Sequence, residues 1–475
     1  RRREAALRTW PFFAGALVPV VVHLLVGVQR GVVRETRDLG ASALGLVAGW
    51  GGAVQRAVVP LDLSLDYPEA RSGAVADLWL PAACLLAALA AFVALRRRAP
   101  VAAFGIAAFF AALLPFNNVF PATDVLAADR YAYLPLFGFA ALAAYVATRV
   151  RGAPAALGLL AVAFGVLFGL GAARFRSDEE LWTRTLETRP GSAIAHINRG
   201  VSRLTRGLTA QPPDENLLRS AVDDFRKGLA RAELKEHRIQ ACRGMVLPLL
   251  QLGEPVEAEE RATQALEMLE DVDSAQGRRA RAGTLYDRAI LAKNAGYATM
   301  DGAARQALFA RAARDFQASA EQWSRYEAWA EAGQLWLAAG HLEEARRALE
   351  KATRFDPPRP EPELDLAKLR RMVGEREAAR QHLDEALRRA RRSPALAEVV
   401  QERIAFWLER DAPDHVKARA ELEHLPAKLP VRARMEAGVE AAEALHLFRR
   451  GESARALVAA DRARAAAGSR PEAFL

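Results

Sequence analysis

Cysteine is nearly absent: there are two in 475 residues. Cys84 lies in an apolar run and Cys242 in a charge-rich one, so a disulfide between them is not expected. Zinc-ligand spacing is missing, and so are a phosphate-binding glycine loop, a dinucleotide fingerprint, a nucleophile elbow and a metalloprotease helix. Alternating strand patterns are essentially absent as well, which leaves an all-α reading. The net charge is +9, but acids are interleaved with the arginines and no basic run alternates with aromatics. That pattern argues against a nucleic-acid footprint. The chain opens Arg1-Arg2-Arg3, without methionine or a signal peptide, and reads as a fragment whose upstream part is missing.

What is present is uneven. Half the residues are hydrophobic, and the long apolar runs crowd before Ala173, while charge dominates after it. The expected organisation is therefore a membrane domain over 1–173, a junction helix over 174–190 and a soluble domain over 191–475. Trp10–Val28 is long enough for a bilayer core of about 30 Å. Its His23 is either a bundle-facing histidine with one hydrogen-bond partner or a group facing a polar cavity. Ala41–Val59 reads as an interfacial or re-entrant helix. Ala74–Leu95, Val101–Leu114, Ala132–Val146 and Ala153–Ala172 complete five expected crossings. Arginine clusters at Arg1–Arg3, Arg96–Arg98 and Arg149 with Arg151 fall on one side, which should be cytoplasmic. The soluble half is then extracytoplasmic.

The soluble half repeats. Gly340 and Gly374 lie 34 residues apart, and Ala345/Ala379, Leu349/Leu383 and Ala352/Ala386 keep that offset. Thirty-four residues is the tetratricopeptide period. In the copy Tyr326–Arg359 the consensus places are held by Trp329, Gly333, Trp336, Gly340, Ala345, Ala352 and Pro357. Small residues let two helices approach, the glycine supplies a helix end with positive φ, and proline ends the second helix. Weaker copies surround Gly207, Gly253, Phe316 and Gly451, and Ala395–Leu429 is helical but off pattern. Six or seven helical pairs are expected, curved into an α-solenoid whose concave face takes protein or peptide partners.

Between the fourth and fifth apolar runs sits Leu114–Gly138, a proline- and asparagine-rich loop with Phe116, Phe120, Tyr131 and Tyr133 at the membrane–water interface. Asp129 and Arg130 stand at the mouth of the next helix. One reading makes them charges that mark where the helix leaves the lipid. The run Asp129-Arg130-Tyr131-Ala132-Tyr133-Leu134-Pro135 also resembles a signature of membrane proteins that join a GT-C-type glycosyltransferase body to tetratricopeptide repeats. The eukaryotic members are protein O-mannosyltransferases, and bacterial relatives are common. Val59–Tyr67, and Ser177–Trp182 followed by Arg189-Pro190 and Ala195–Gly200, are similar to two further places in that family.

The resemblance implies the C-terminal portion of a glycosyltransferase of the bacterial inner membrane, using a polyprenyl-phosphate-linked sugar donor. Arg130 would pair with the donor phosphate, Tyr131 and Tyr133 would line its groove, and Asp129 would orient the guanidinium. The family's catalytic acidic loop would lie upstream of Arg1. Asp62 and Asp66 do not match it and read either as interfacial charges or as a substrate-facing pair. The catalytic residues are thus unknown and enzyme status is open. The alternative is a non-catalytic, membrane-anchored repeat scaffold, in contact with lipid and with envelope proteins. No cofactor or metal is evident.

Overall fold

The computed structural model describes residues 46–58, 75–113, 133–172, 176–409 and 413–468. The described residues are helical, with no strand among them. They fall into two compact units, Arg1–Thr284 and Leu285–Leu475. Trp10–Val28 with His23, the Val59–Tyr67 loop, and Asp129, Arg130 and Tyr131 lie outside the described residues.

The first unit opens on a π-turn at Val47–Gly51 running into α1 (Gly52–Val58). Then come α2 (Val75–Arg98), α3 (Pro100–Leu113), α4 (Tyr133–Arg149) and α5 (Ala153–Ala172). Alanine, leucine and phenylalanine fill these helices, and the arginines gather at the last turn of α2, where they also suit the helix dipole. Only Ala99 separates α2 from α3, because Pro100 brings no N–H to continue the ladder.

Packing in this region uses backbone contact. A Cβ on Gly105 would meet the carbonyl oxygen of Gly138 at 2.7 Å, and one on Gly138 would strike the Gly105 carbonyl. So α3 and α4 touch main chain to main chain, as small residues allow. Gly51 likewise lies on the Pro81 carbonyl of α2, and Trp50 stacks on Phe110 with centroids 5.3 Å apart.

By length and composition one described helix, Leu78–Arg98, can cross a membrane, whereas Pro100–Leu113 and Ala153–Val166 are apolar but shorter. The fourteen residues of Pro100–Leu113 rise only about 21 Å, short of a ~30 Å core. The expected polytopic bundle of five crossings therefore exceeds what the described helices support.

The unit continues with α6 (Asp178–Thr188), α7 (Ala193–Thr209), α8 (Glu215–Arg231), α9 (Lys235–Gln251) and α10 (Pro255–Leu269). Ser177, Ser192 and Asp214 cap α6, α7 and α8 through their side-chain oxygens. The fully buried Phe225 of α8 lies against Gly200 of α7 and Gly244 of α9, where a larger residue would collide with its ring.

Helix α11 (Ala275–Ala298) carries the boundary between the units. The second unit holds α12 (Gly302–Gln322), α13 (Tyr326–Ala338), α14 (Leu342–Ala352), α15 (Glu361–Met372), α16 (Arg376–Ala390), α17 (Leu396–Leu408), α18 (His415–Glu421), α19 (Pro430–Arg449) and α20 (Ser453–Ala467). Two cores organise it. One joins Phe309, Phe316, Trp329, Trp336 and a set of alanines; the other joins Leu383, Val399, Ile404, Phe406 and Leu422. The off-pattern stretch Ala395–Leu429 supplies α17, the short α18 and a 3-10 turn at Leu422–His424.

Candidate binding face of the helical repeats

From α7 onward the helices pair as A and B: α7/α8, α9/α10, α11/α12, α13/α14, α15/α16, α17/α18 and α19/α20. Four A–B turns share one geometry. Gly253, Gly340, Gly374 and Gly451 all have φ between 76° and 83°. At Gly340 the His341 N–H donates to the Trp336 carbonyl at 2.9 Å and the Gly340 N–H to the Leu337 carbonyl at 3.0 Å. Glu254, Glu375 and Glu452 donate to Leu249, Arg370 and Leu447 in the same way. These are Schellman turns, and a left-handed φ selects glycine. Nothing lies within 4 Å of a Cβ built on Gly340 or Gly374, so backbone conformation, not crowding, sets the requirement.

Crowding acts elsewhere in the repeat. A Cβ on Gly333 would sit 2.6 Å from Leu349 Cδ2, so α13 and α14 close at that point. Ala345, Ala352, Ala379 and Ala386 are buried on the B helices, and Trp329 and Trp336 are buried on α13. The Trp336 indole N–H donates to Gln317 Oε1 at 3.2 Å. Pro357 does not end α14: the helix stops at Ala352, with the Thr353 N–H on the Leu349 carbonyl, and Pro357 lies exposed in the loop beyond.

Charged groups staple successive helices. In the second unit Lys293 of α11 pairs with Glu331 of α13 at 2.6 Å, and Gln334 of α13 donates to Asp365 of α15 at 2.8 Å. Arg371 of α15 reaches Glu402 and Glu409 at 3.5 and 3.3 Å. Burial pushes the Asp365 carboxyl up, against the hydrogen bond from Gln334 and the charge of Lys368. Arg403 is buried and gives Glu421 two hydrogen bonds, at 2.6 and 2.9 Å, while its third nitrogen reaches Asp384 at 2.5 Å.

In the first unit Asp224 is fully buried. It accepts from Arg199 at 2.6 and 2.9 Å and from Arg203 at 2.9 Å, with His196 Nδ1 at 3.5 Å. Burial alone would raise this carboxyl. The His196 and Arg199 hydrogen bonds and the charges of Arg199 and Arg203 outweigh it and hold it below its ordinary value. Arg203 also donates to Glu179 of α6 at 2.9 Å, and Arg206 reaches the same carboxylate. These buried charges are paired helix to helix, which is a structural use. No group of three or more metal-ligating side chains occurs among the described residues.

One cluster has a different character. At the start of α13, the Arg325 guanidinium lies 5.2 Å from the Tyr286 ring centroid and that of Arg359 lies 4.2 Å from the Tyr326 ring. Arg359 also pairs with Glu327 at 3.6 Å, and the Tyr326 hydroxyl donates to Glu361 at 3.2 Å. Burial, then the Glu361 charge, raises the Tyr326 hydroxyl far above its usual range, so it stays protonated. Trp323, Arg325 and Arg359 are exposed beside them. Tryptophan, tyrosine and arginine are the residue types that dominate binding energy at protein interfaces. Sequence reading does not single out this patch. Its only trace is the density of Trp323, Arg325 and Tyr326 at one B–A turn.

The residues expected to form a donor site are not assembled here: Asp129, Arg130 and Tyr131 lie outside the described residues, and Tyr133 opens α4. No family model and no curated protein matches the chain. Solved structures do. The C-terminal part of a TPR repeat-containing protein from Cytophaga hutchinsonii is 13% identical, with 52% of this chain and 87% of that chain covered at a TM-score of 0.40. A tetratricopeptide repeat protein from Parabacteroides merdae is 14% identical, with 59% and 96% covered at 0.36. PilF of Pseudomonas aeruginosa is 20% identical, with 50% and 91% covered at 0.33. The chain is thus similar, in part of its length, to structures of two tetratricopeptide-repeat proteins and of PilF.

Proposed function

We propose that this chain is a membrane-anchored helical-repeat scaffold that binds a segment of another protein. The supporting observation is the Trp323–Arg325–Tyr326–Arg359 patch, an exposed arginine–aromatic cluster on a rigid pair of helices. The anchor rests on Leu78–Arg98, 21 residues that are apolar up to the three arginines at their end. The test is selection of peptides from a random displayed library on the full chain in lipid nanodiscs. Peptides that engage the patch lose affinity on Trp323→Ala or Arg325→Ala by about 2 kcal/mol, roughly thirtyfold in Kd. Selected peptides that bind wild type and both variants equally would remove the patch as the binding site.

A finer reading is carried by the Asp129–Pro135 run. The chain is then the C-terminal portion of a GT-C-like glycosyltransferase of the bacterial inner membrane, with extracytoplasmic repeats that hold protein acceptors. Arg130 binds the phosphate of a lipid-linked sugar donor, flanked by Tyr131 and Tyr133 and oriented by Asp129. Arg130→Ala then lowers donor-dependent transfer by a charge-assisted contact, ~1.5–3 kcal/mol, while Arg130→Lys restores part of it. Wild-type transfer in Arg130→Ala, at equal expression in defined lipid, would reduce Arg130 to an interface anchor.

A further inference from the structure

In the second unit three consecutive B–A turns lie side by side. They are residues 323–325 before α13, 353–360 before α15 and 391–395 before α17. The first two touch: the Tyr326 hydroxyl donates to Glu361 at 3.2 Å, and the Tyr326 and Phe355 rings meet edge to face with centroids 6.3 Å apart. The second and third are joined through Arg389, in the last turn of α16. It donates to the Thr353 carbonyl at 3.4 Å and pairs with Glu363 of α15 at 2.9 Å. Packed helices lie about 10 Å apart, so from α13 to α17 the three turns span roughly 20 Å.

This strip is basic. Its exposed charged residues are Arg325, Arg354, Arg359, Arg391 and Arg392, against Asp356 alone. Glu327 answers Arg359. Arg354, Arg391 and Arg392 have no ion-pair partner among the described residues, and the Arg325 guanidinium is held over the Tyr286 ring rather than by a carboxylate. Arg371 and Arg403 of the same unit, by contrast, each meet two carboxylates. Arg314 on α12, Arg347 on α14 and Arg449 on α19 are exposed as well. What sets the strip apart is that its turns touch one another and run into the Trp323–Arg325–Tyr326 patch.

We infer that the protein segment bound at the patch is acidic, and that it runs on in extended form along this strip from Trp323 to Arg392. The inference rests on the patch reading above and names the chemistry of its partner. Trp323 takes an apolar side chain. Arg325, fixed over a ring, offers a carboxylate an already oriented fork. Arg354, Arg391 and Arg392 take further Asp or Glu side chains, and about six extended residues cover ~20 Å. These guanidiniums lack an internal carboxylate, so binding breaks no existing pair. A nucleic acid fits worse. Tyr286 packs on Arg325 and Phe316, and Tyr326 on Arg359 and Phe355, so neither ring is open to stack a base. Asp356 and Glu327 also interrupt the positive field that a phosphate at every nucleotide requires.

The test selects displayed random peptides on the full chain in phosphatidylcholine nanodiscs and titrates the selected peptides by fluorescence anisotropy. Dependence on Trp323 is read first, with Trp323→Ala. Peptides that all bind this variant as they bind wild type would remove the patch, and the acidic segment with it. Where binding depends on Trp323, the expected peptides carry an excess of Asp and Glu. Their Kd should weaken about tenfold at low salt in Arg391→Glu/Arg392→Glu, the effect of reversing two exposed charge pairs. Changing the acidic residues of such a peptide to Lys should restore its binding to that variant. Arg314→Glu/Arg347→Glu makes the same charge change on α12 and α14 and should leave Kd unchanged. Trp323-dependent peptides without an acidic excess would overturn the acidic segment and leave the patch intact. So would acidic peptides that bind both double variants alike. Displacement of a selected peptide by oligouridylate, or by phosphatidylglycerol vesicles, at a lower concentration than by free acidic peptide would overturn it too, giving the strip to a nucleic acid or to lipid.

Discussion

Helices α2–α5 and the paired helices α7–α20 are both alanine-rich, yet they solve packing differently. In the apolar region large side chains point outward: Trp79, Leu86, Phe137, Leu159 and Val162 are exposed, and the tightest contact is main chain on main chain at Gly105 and Gly138. In the paired helices phenylalanine, leucine and tryptophan turn inward, and charged groups bridge from helix to helix. Outward apolar surface on this scale is unfavourable in water, where burial contributes roughly 25 cal/mol per Å². It suits a surround of hydrocarbon, where small residues and close backbones hold helices together. The contrast teaches that alanine content alone does not say which way a helix turns its large residues.

The strongest way to break this contrast is at the charged hub. Asp224→Ala leaves Arg199 and Arg203 facing a buried gap, and loss of one partner of a buried pair costs ~3–5 kcal/mol. Chemical denaturation of the repeats, followed by circular dichroism, should show it. An unchanged midpoint would mean the hub contributes nothing net. The pH dependence has a definite sign. Because the folded carboxyl lies below its ordinary value, its contribution is full above the unfolded pKa of about 3.9. It is lost as pH falls through the folded value.

A smaller effect separates two glycines of the apolar region. Gly138→Leu forces side-chain atoms into the Gly105 backbone, and overpacking costs ~1–3 kcal/mol. A Cβ on Gly165 of α5 meets nothing within 4 Å, so Gly165→Ala should be silent. Cysteine cross-linking between α3 and α4 in vesicles distinguishes them. Equal cross-linking in both variants would contradict the close approach.

The smallest effect concerns His415. It is buried, neither ring nitrogen has a hydrogen-bond partner among the described residues, and its ring centroid lies 5.6 Å from that of His446. Burial lowers its pKa, opposed by the Glu443 and Asp414 charges and assisted by His446 and Arg419. A folded-state value below the unfolded ~6.5 means stability is full above that pH and falls as pH drops below it. Melting of the repeats between pH 7 and 5 should decline less in His415→Leu than in wild type. Parallel declines would assign the pH dependence to other groups.

Much of the repeat register was legible. A 34-residue offset, a recurring glycine and alanines on the following helix are local periodic signals, and they mark the A–B turns at Gly340 and Gly374. Their reasons were only partly legible. The pattern does not reveal that Gly340 is kept by its φ of 83° and Gly333 by Leu349. The number of crossings stays an expectation, since among the described residues one helix, Leu78–Arg98, is long and apolar enough to cross a membrane. Asp129–Tyr133 stays a motif in sequence, with its role carried by resemblance alone.

By itself, then, the sequence determined helical class, the change from apolar to charged composition near Ala173 and the repeat spacing, since each depends on residues within a few turns of one another. Tertiary structure alone decided which charges meet. Asp224 finds Arg199 and Arg203 across 25 and 21 residues, and Lys293 finds Glu331 across 38. It also decided that Tyr286, Arg325, Tyr326 and Arg359 share one surface. The physical reason is that a charge or a ring carries no address for its partner. Only the stacking of one helical pair on the next brings such groups within reach.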